Sequence, residues 1–208
     1  MGQYYNPIIL KTNWKTAKQP VLASLKCYDY DNGAKLMEHS WVGNSFVSAM
    51  CWLLSREGYF GHPFVWCGDY ADKVKTNNGE HDLYSDAGQF IYKDYYGEED
   101  GKSKEYEELK ESIPPYNELR PRALGGYIVN LTKKEYVKIP DLNEEHWEVH
   151  PLPLLTCNSN GRGGGDYNGT DIEKVGVWAF DRIGVVNEIF YFKKLGFKEY
   201  KVNFSEEL

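Results

Sequence analysis

Cysteine is sparse and unpatterned in this chain. Cys27, Cys51, Cys67 and Cys157 stand far apart, with no Cys-x-x-Cys pair. That spacing argues against zinc ligation and a disulfide framework, and it fits buried, reduced thiols in a cytoplasm. No hydrophobic run comes near the ~20 residues needed to span a bilayer, so no membrane association is expected. The opening Met1-Gly2-Gln3-Tyr4-Tyr5 lacks the basic-then-apolar pattern of a secretory leader. Asn6 stands where a myristoylation signal favours Ser or Thr. Basic residues are outnumbered, 24 Lys and Arg against 31 Asp and Glu, for a net charge of −7. Direct, broad nucleic-acid binding is therefore not expected, because neutralising phosphates takes an excess of cations.

What is abundant is aromatic: 17 Tyr, 9 Phe and 6 Trp among 208 residues. Such side chains suit half-buried sheets and also binding surfaces. The charge is uneven. Glu98 to Glu118 holds eight acids against three lysines, leaving the remainder nearly balanced. That run reads as a solvated loop and helix, or as a surface aimed at a basic partner. The length suits one well-buried core, so a single domain over 1–208 is expected, with an acidic insertion at about 73–122.

Periodicity predicts an α+β fold with a mixed, mainly antiparallel sheet and one to three helices. Tyr4 to Leu10 reads as a strand, with Pro7 suggesting an edge. Leu22 to Tyr30 and Leu36 to His39 read as a hairpin around Asp31-Asn32-Gly33, since Asn-Gly suits a tight turn. A helix capped by Asn44 or Ser45 should run to about Arg56, burying Phe46, Val47, Met50, Cys51 and Leu54. Phe64 to Trp66 is a short buried strand. The middle, 73–122, with an acidic helix near Ser103 to Glu111 and Pro114-Pro115, reads as an excursion from the core. Gly126 to Leu131 and Glu135 to Ile139 form a second hairpin. Val175 to Ala179, Ile183 to Val186 and Phe197 to Phe204 read as strands. Val65-Trp66-Cys67-Gly68-Asp69 and Val177-Trp178-Ala179-Phe180-Asp181 echo each other, as two pseudo-repeated halves sharing one core would.

The richest local pattern is Asn160-Gly161-Arg162-Gly163-Gly164-Gly165-Asp166-Tyr167. Four glycines in five positions leave backbone N–H groups unobstructed, able to cradle an anion. Arg162 offers a bidentate fork, and Asp166 can accept from a ribose hydroxyl. Neither a Walker loop nor a dinucleotide fingerprint is present, and a plain surface turn is the duller reading. Lys35-Leu36-Met37-Glu38-His39-Ser40, if extended, puts His39 and Glu38 on opposite faces. His39 is then a ligand-binding residue, a base, or a satisfied structural histidine. Asp69 with Asp72 or Asp181 at strand ends would be oxygen ligands for a cation, but the spacing matches no metal motif, and neither metal nor cofactor is expected. Asp181-Arg182 reads more simply as a source of internal salt bridges or as a turn cap. No nucleophile motif occurs.

The stretches Gly2 to Tyr5, Lys35 to Ser40, Trp66 with Gly68 to Asp72, Asn130 to Tyr136, Asn160 to Tyr167 and Trp178 to Ile183 together resemble an uncharacterised family of small bacterial and phage proteins. The resemblance skips the acidic middle. In similar, shorter members the Trp-Ala segment continues Gly-Asp-Arg, whereas Phe180 stands here. The resemblance implies no chemistry. It implies a mobile-element context, that of phage counter-defence proteins acting in the bacterial cytoplasm. The leading expectation is capture of a small anionic, nucleotide-derived immune signal. Its expected ligand residues are Arg162, Gly163, Gly164, Gly165, Asp166, Tyr167, Trp178, Arg182, His39 and Trp66. One alternative is a protein-binding, anti-CRISPR-type inhibitor of a host defence effector using the acidic insertion. The other is a nucleotide or glycosyl hydrolase using His39, Glu38, Asp69 and Asp166. Homo-oligomerisation is compatible with each.

Overall fold

The computed structural model describes residues 3–92, 101–123, 126–142, 148–160 and 167–205. The fold is α+β, built on an eight-stranded, mainly antiparallel mixed sheet. In spatial order the strands are β10 (Lys198–Glu199), β7 (Glu135–Lys138), β6 (Tyr127–Asn130), β9 (Arg182–Val186), β3 (His62–Gly68), β1 (Tyr5–Leu10) and β2 (Val21–Ser24). The short β8 (Cys157–Asn158) runs parallel to the end of β3, while β9 pairs with its beginning. β3 is thus the hub. A separate hairpin joins β4 (Val74–Thr76) to β5 (Gly79–His81).

Every residue of β1 is buried, as is all of β3 beyond His62. Alternation sends Ile9, Phe64 and Trp66 into the cluster that holds Phe46, Met50 and Leu53 of α2 (Ser45–Leu54). It sends Ile8, Leu10, Val65 and Cys67 into a second cluster with Leu83 and Ala87 of α3 (Leu83–Ile91). A strand covered on both faces cannot alternate apolar with polar, which explains the unbroken apolar runs of β1 and β3. The predicted α2 cap is present: Asn44 Oδ1 accepts from the N–H groups of Phe46 and Val47 at 2.9 and 3.2 Å. The β6–β7 hairpin also forms as expected.

Several expectations are corrected. β1 is not an edge, since it lies between β2 and β3. Its proline fits because the Trp66 N–H opposite turns away to Thr156 O, so Pro7 and Trp66 exchange no ladder bonds. The missing donor of Pro7 faces the β2 side, where pairing begins only at Ile8. The hairpin around Asp31-Asn32-Gly33 does not form. The left-handed residue is Asp31 (φ 55°), not the Asn-Gly pair, and it closes a 3-10 helix at Cys27–Tyr30. Leu36–His39 is then a single helical turn, α1, which buries Leu36 and His39 together and leaves Glu38 outside.

Residues 175–180 are successive turns rather than a strand. Gly176 (φ 79°) and Phe180 (φ 67°) both take left-handed backbone there. The Val177-Trp178 stretch therefore does not share the strand conformation of Val65-Trp66. The predicted terminal strand shrinks to Lys198–Glu199. The middle segment is no excursion. In α4 (Lys104–Ser112) Tyr106 and Leu109, then Ile113, then Leu119 of α5 (Tyr116–Ala123), all belong to the main core.

Candidate functional site

The glycine-rich residues 161–166, among them Arg162, Gly163, Gly164, Gly165 and Asp166, lie outside the described residues; their flanks do not. Asn160 Nδ2 donates to Tyr70 O, just past the C-terminal end of β3. Tyr167 is buried edge-on to Phe204, and its hydroxyl lies 2.6 Å from Thr170 O and accepts the Ser205 N–H at 2.9 Å. At the same end of β3, Gln3 packs under Gly68 so closely that a Cβ added at Gly68 would lie 2.6 Å from Gln3 Cδ. Gln3 Oε1 accepts from the Tyr5 hydroxyl at 2.7 Å, but the buried Nε2 has no acceptor among the described residues. A buried unpaired donor is costly, about 1–3 kcal/mol, and marks this spot as electrostatically incomplete.

The other expected ligand residues have structural partners. His39 is fully buried in α1: Nδ1–H donates to Gly33 O at 3.0 Å, and Nε2 accepts from Trp66 Nε1 at 2.9 Å. Those two bonds set the tautomer and occupy both nitrogens. Burial holds the imidazole at a pKa of about 4, hence neutral at pH 7. No lone pair is left for general-base work. Glu38 accepts from Lys35 N–H at 3.0 Å, and Asp69 Oδ1 accepts from Tyr4 N–H at 3.0 Å, continuing the β1–β3 ladder. Trp178 is fully buried, donating to Glu135 Oε2 at 2.9 Å. Arg182 Nε donates to Gly61 O at 2.8 Å. Neither Trp66 nor Trp178 exposes a ring face on which a base could stack.

Asp181 accepts from Asn130 Nδ2 at 2.8 Å and pairs with Lys133 at 3.2 Å, so its internal salt bridge is to a lysine on the β6–β7 turn and not to Arg182. Among the described residues no group of His, Cys, Asp and Glu is arranged to hold a metal ion. No helix there is long and apolar enough to cross a membrane.

One pair escaped the sequence reading. Cys51 Sγ of α2 lies 3.6 Å from His150 Nε2, across 99 residues. It is not a catalytic dyad. His150 Nδ1 accepts the Leu152 N–H at 3.2 Å, capping α6 (Pro151–Leu155), so the proton sits on Nε2 and points at the sulfur. Burial pushes the thiol up to about 12 and the imidazole down to about 3, the reverse of an activated pair. None of the four cysteines forms a disulfide, and all are buried.

A cleft of about 620 Å³ opens between the 3-10 turn and the α4–α5 junction. Asp29, Tyr30, Asp31 and Lys110 line it, with Pro114 and Tyr116 opposite. The two carboxylates are matched by Lys110 and by Lys102, both of which pair with Asp29. The cleft's only sequence signal is Tyr28-Asp29-Tyr30-Asp31-Asn32-Gly33, whose acids read as turn residues, and nothing local announces that α4 and α5 fold over them. No family model, curated protein or solved structure matches this chain.

Proposed function

We propose that this is a non-catalytic binding protein that captures a small anionic, nucleotide-derived ligand, serving the counter-defence role implied by its resemblance to small phage proteins. The observation that carries the reading is the unpaired, buried amide donor of Gln3 at the end of β3, where the chain enters the glycine-rich stretch after Asn160. Asn160 and Tyr167, the residues that flank this stretch, are both held by hydrogen bonds to the body of the protein. Open backbone amides and Arg162 would supply the charge complement, and sequestration needs affinity alone.

Melting the purified protein with cyclic dinucleotides and ADP-ribose derivatives tests this. A binder present at about 100 times its Kd should add about 2.7 kcal/mol, a gain lost in Arg162→Ala. Flat melting curves across the panel, with no small molecule released on denaturing the purified protein, would overturn it.

A second reading rests on α4, which turns Glu105, Glu107, Glu108 and Glu111 to solvent. Such a face would cap a basic channel of a defence effector. Because Tyr106 and Leu109 on its other side are core residues, deletion is no clean test. Reversing the four charges should abolish inhibition without unfolding; unchanged inhibition sinks the reading.

A further inference from the structure

We propose that a second cleft, enclosed by α2, α5 and β9, is a binding site for a small carboxylate carried on an apolar body. Its volume, about 450 Å³, falls in the range of small-molecule pockets. The observation that points to a ligand is Ser48, inside α2. Five Ser and Thr residues are buried among the described residues. Four of them, Ser24, Ser40, Ser103 and Thr156, donate their hydroxyls to backbone carbonyls at 2.5 to 2.8 Å. Ser40 and Thr156 do so by bonding back to the carbonyl four residues earlier, the ordinary resort of a hydroxyl on a helical turn. Ser48 does not. It is only 3% exposed and it lines the cleft, yet its hydroxyl has no partner among the described residues. A hydroxyl buried in this way is a donor without an acceptor, at a cost that a bound ligand would remove.

The charge in this cleft is unmatched. Arg56 is the one charged residue that lines it, and among the described residues no carboxylate pairs with the guanidinium. Glu57 and Glu188 adjoin Arg56 and Asn187 in sequence, but both are exposed and line no part of the cleft. Cys51 lines it too, but burial holds the thiol up at about 12, so it is neutral at pH 7. The negative end of α2 is already answered, since the N–H groups of Ser55 and Arg56 bond to the carbonyls of Cys51, Trp52 and Leu53. One fixed cation suits one negative charge, and its planar fork matches a carboxylate. The guanidinium lies 5.1 Å over the Trp52 ring, a contact that positions the fork and uses none of its N–H donors. Leu119 of α5 with Val185 and Val186 of β9 supplies an apolar wall for the body of the ligand. The lining includes neither Gln3 nor the glycine-rich segment, so this site and the one proposed above can fail separately.

Benzoate, benzamide and benzamidinium give one shape in three charge states. Calorimetric titration of the full chain, with backbone amide shifts followed at Ser48 and Asn187, tests the site. Benzoate should bind and move both amides, and benzamidinium should do neither. Arg56→Gln removes the cation from an exposed position and should weaken benzoate binding about tenfold. Ser48→Ala puts the best helix former inside α2, so that variant keeps its fold, and it should weaken binding about fivefold. No binding up to about 10 mM, an equal response to all three probes, or unaltered affinity in either variant would overturn the proposal.

Discussion

Val65-Trp66-Cys67-Gly68-Asp69 and Val177-Trp178-Ala179-Phe180-Asp181 share a pattern and part ways in structure. The first is strand hub, the second a string of turns. Both tryptophans are fully buried, yet Trp66 donates to a neutral imidazole and Trp178 to a carboxylate. The third residue after each valine differs most. Gly68 keeps an ordinary φ and is small because Gln3 leaves no room, whereas Phe180 adopts φ 67° and stacks on Trp14 at 5.6 Å. Glycine therefore sits where space is short, and the bulky ring where a glycine backbone would be easier. What each stretch packs against, more than its local pattern, decides its conformation.

The largest contrast should be one of pH. His39, partner of Trp66, is held neutral by burial at a pKa of about 4, against 6.5 in an open chain. Lowered basicity in the fold means that the unfolded chain takes up the proton first. The contribution is complete above about pH 6.5 and drains away as pH falls to about 4, a loss on the order of 3 kcal/mol. His150, held at about 3, extends the decline downward. Urea unfolding from pH 8 to 4 should show it, and His39→Gln should flatten the slope by about one proton. An unaltered slope would remove His39 from this role.

Next comes the pair of indole deletions. Trp66→Phe leaves His39 Nε2 buried without a donor, while Trp178→Phe leaves Glu135 only half-buried and able to recruit water. The first should cost about 1–2 kcal/mol more than the second in denaturant titrations. Equal losses would mean that the bond to His39 is worth no more than the one to Glu135.

The smallest effect separates two variants at one position. Phe180→Ala and Phe180→Gly both lose the Trp14 stack, but only glycine relaxes at φ 67°. The glycine variant should melt higher, by about 1 kcal/mol at the midpoint. The opposite ranking would show that backbone strain at 180 is negligible.

Strands β1, β3, β6, β7 and β9 and helix α2 were legible in the sequence because each has either unbroken apolar character or a clear cap and period. The failures share a cause. The Asn-Gly pair promised a hairpin, but Asp31 took the left-handed angle and wound the chain into helical turns. Val175 to Ala179 has strand composition, yet Gly176 sits so close to Cys157 O that a Cβ would lie 2.6 Å away, and the chain turns there. The candidate site was legible only in part. Its glycine-rich pattern was plain, whereas the Gln3 amide, the Cys51–His150 contact and the cleft each join residues remote in sequence.

Asp29 takes a hydroxyl from Tyr106 and ammonium groups from Lys102 and Lys110, all on the segment between β5 and β6. One carboxylate on a four-residue turn thus works as the buckle that straps this region down. A chain trimmed of residues 101–119 would carry an acid with its three clasps cut away and an open hole where Tyr106 had been. Loss of the segment and loss of the charge at position 29 should therefore travel together in inheritance.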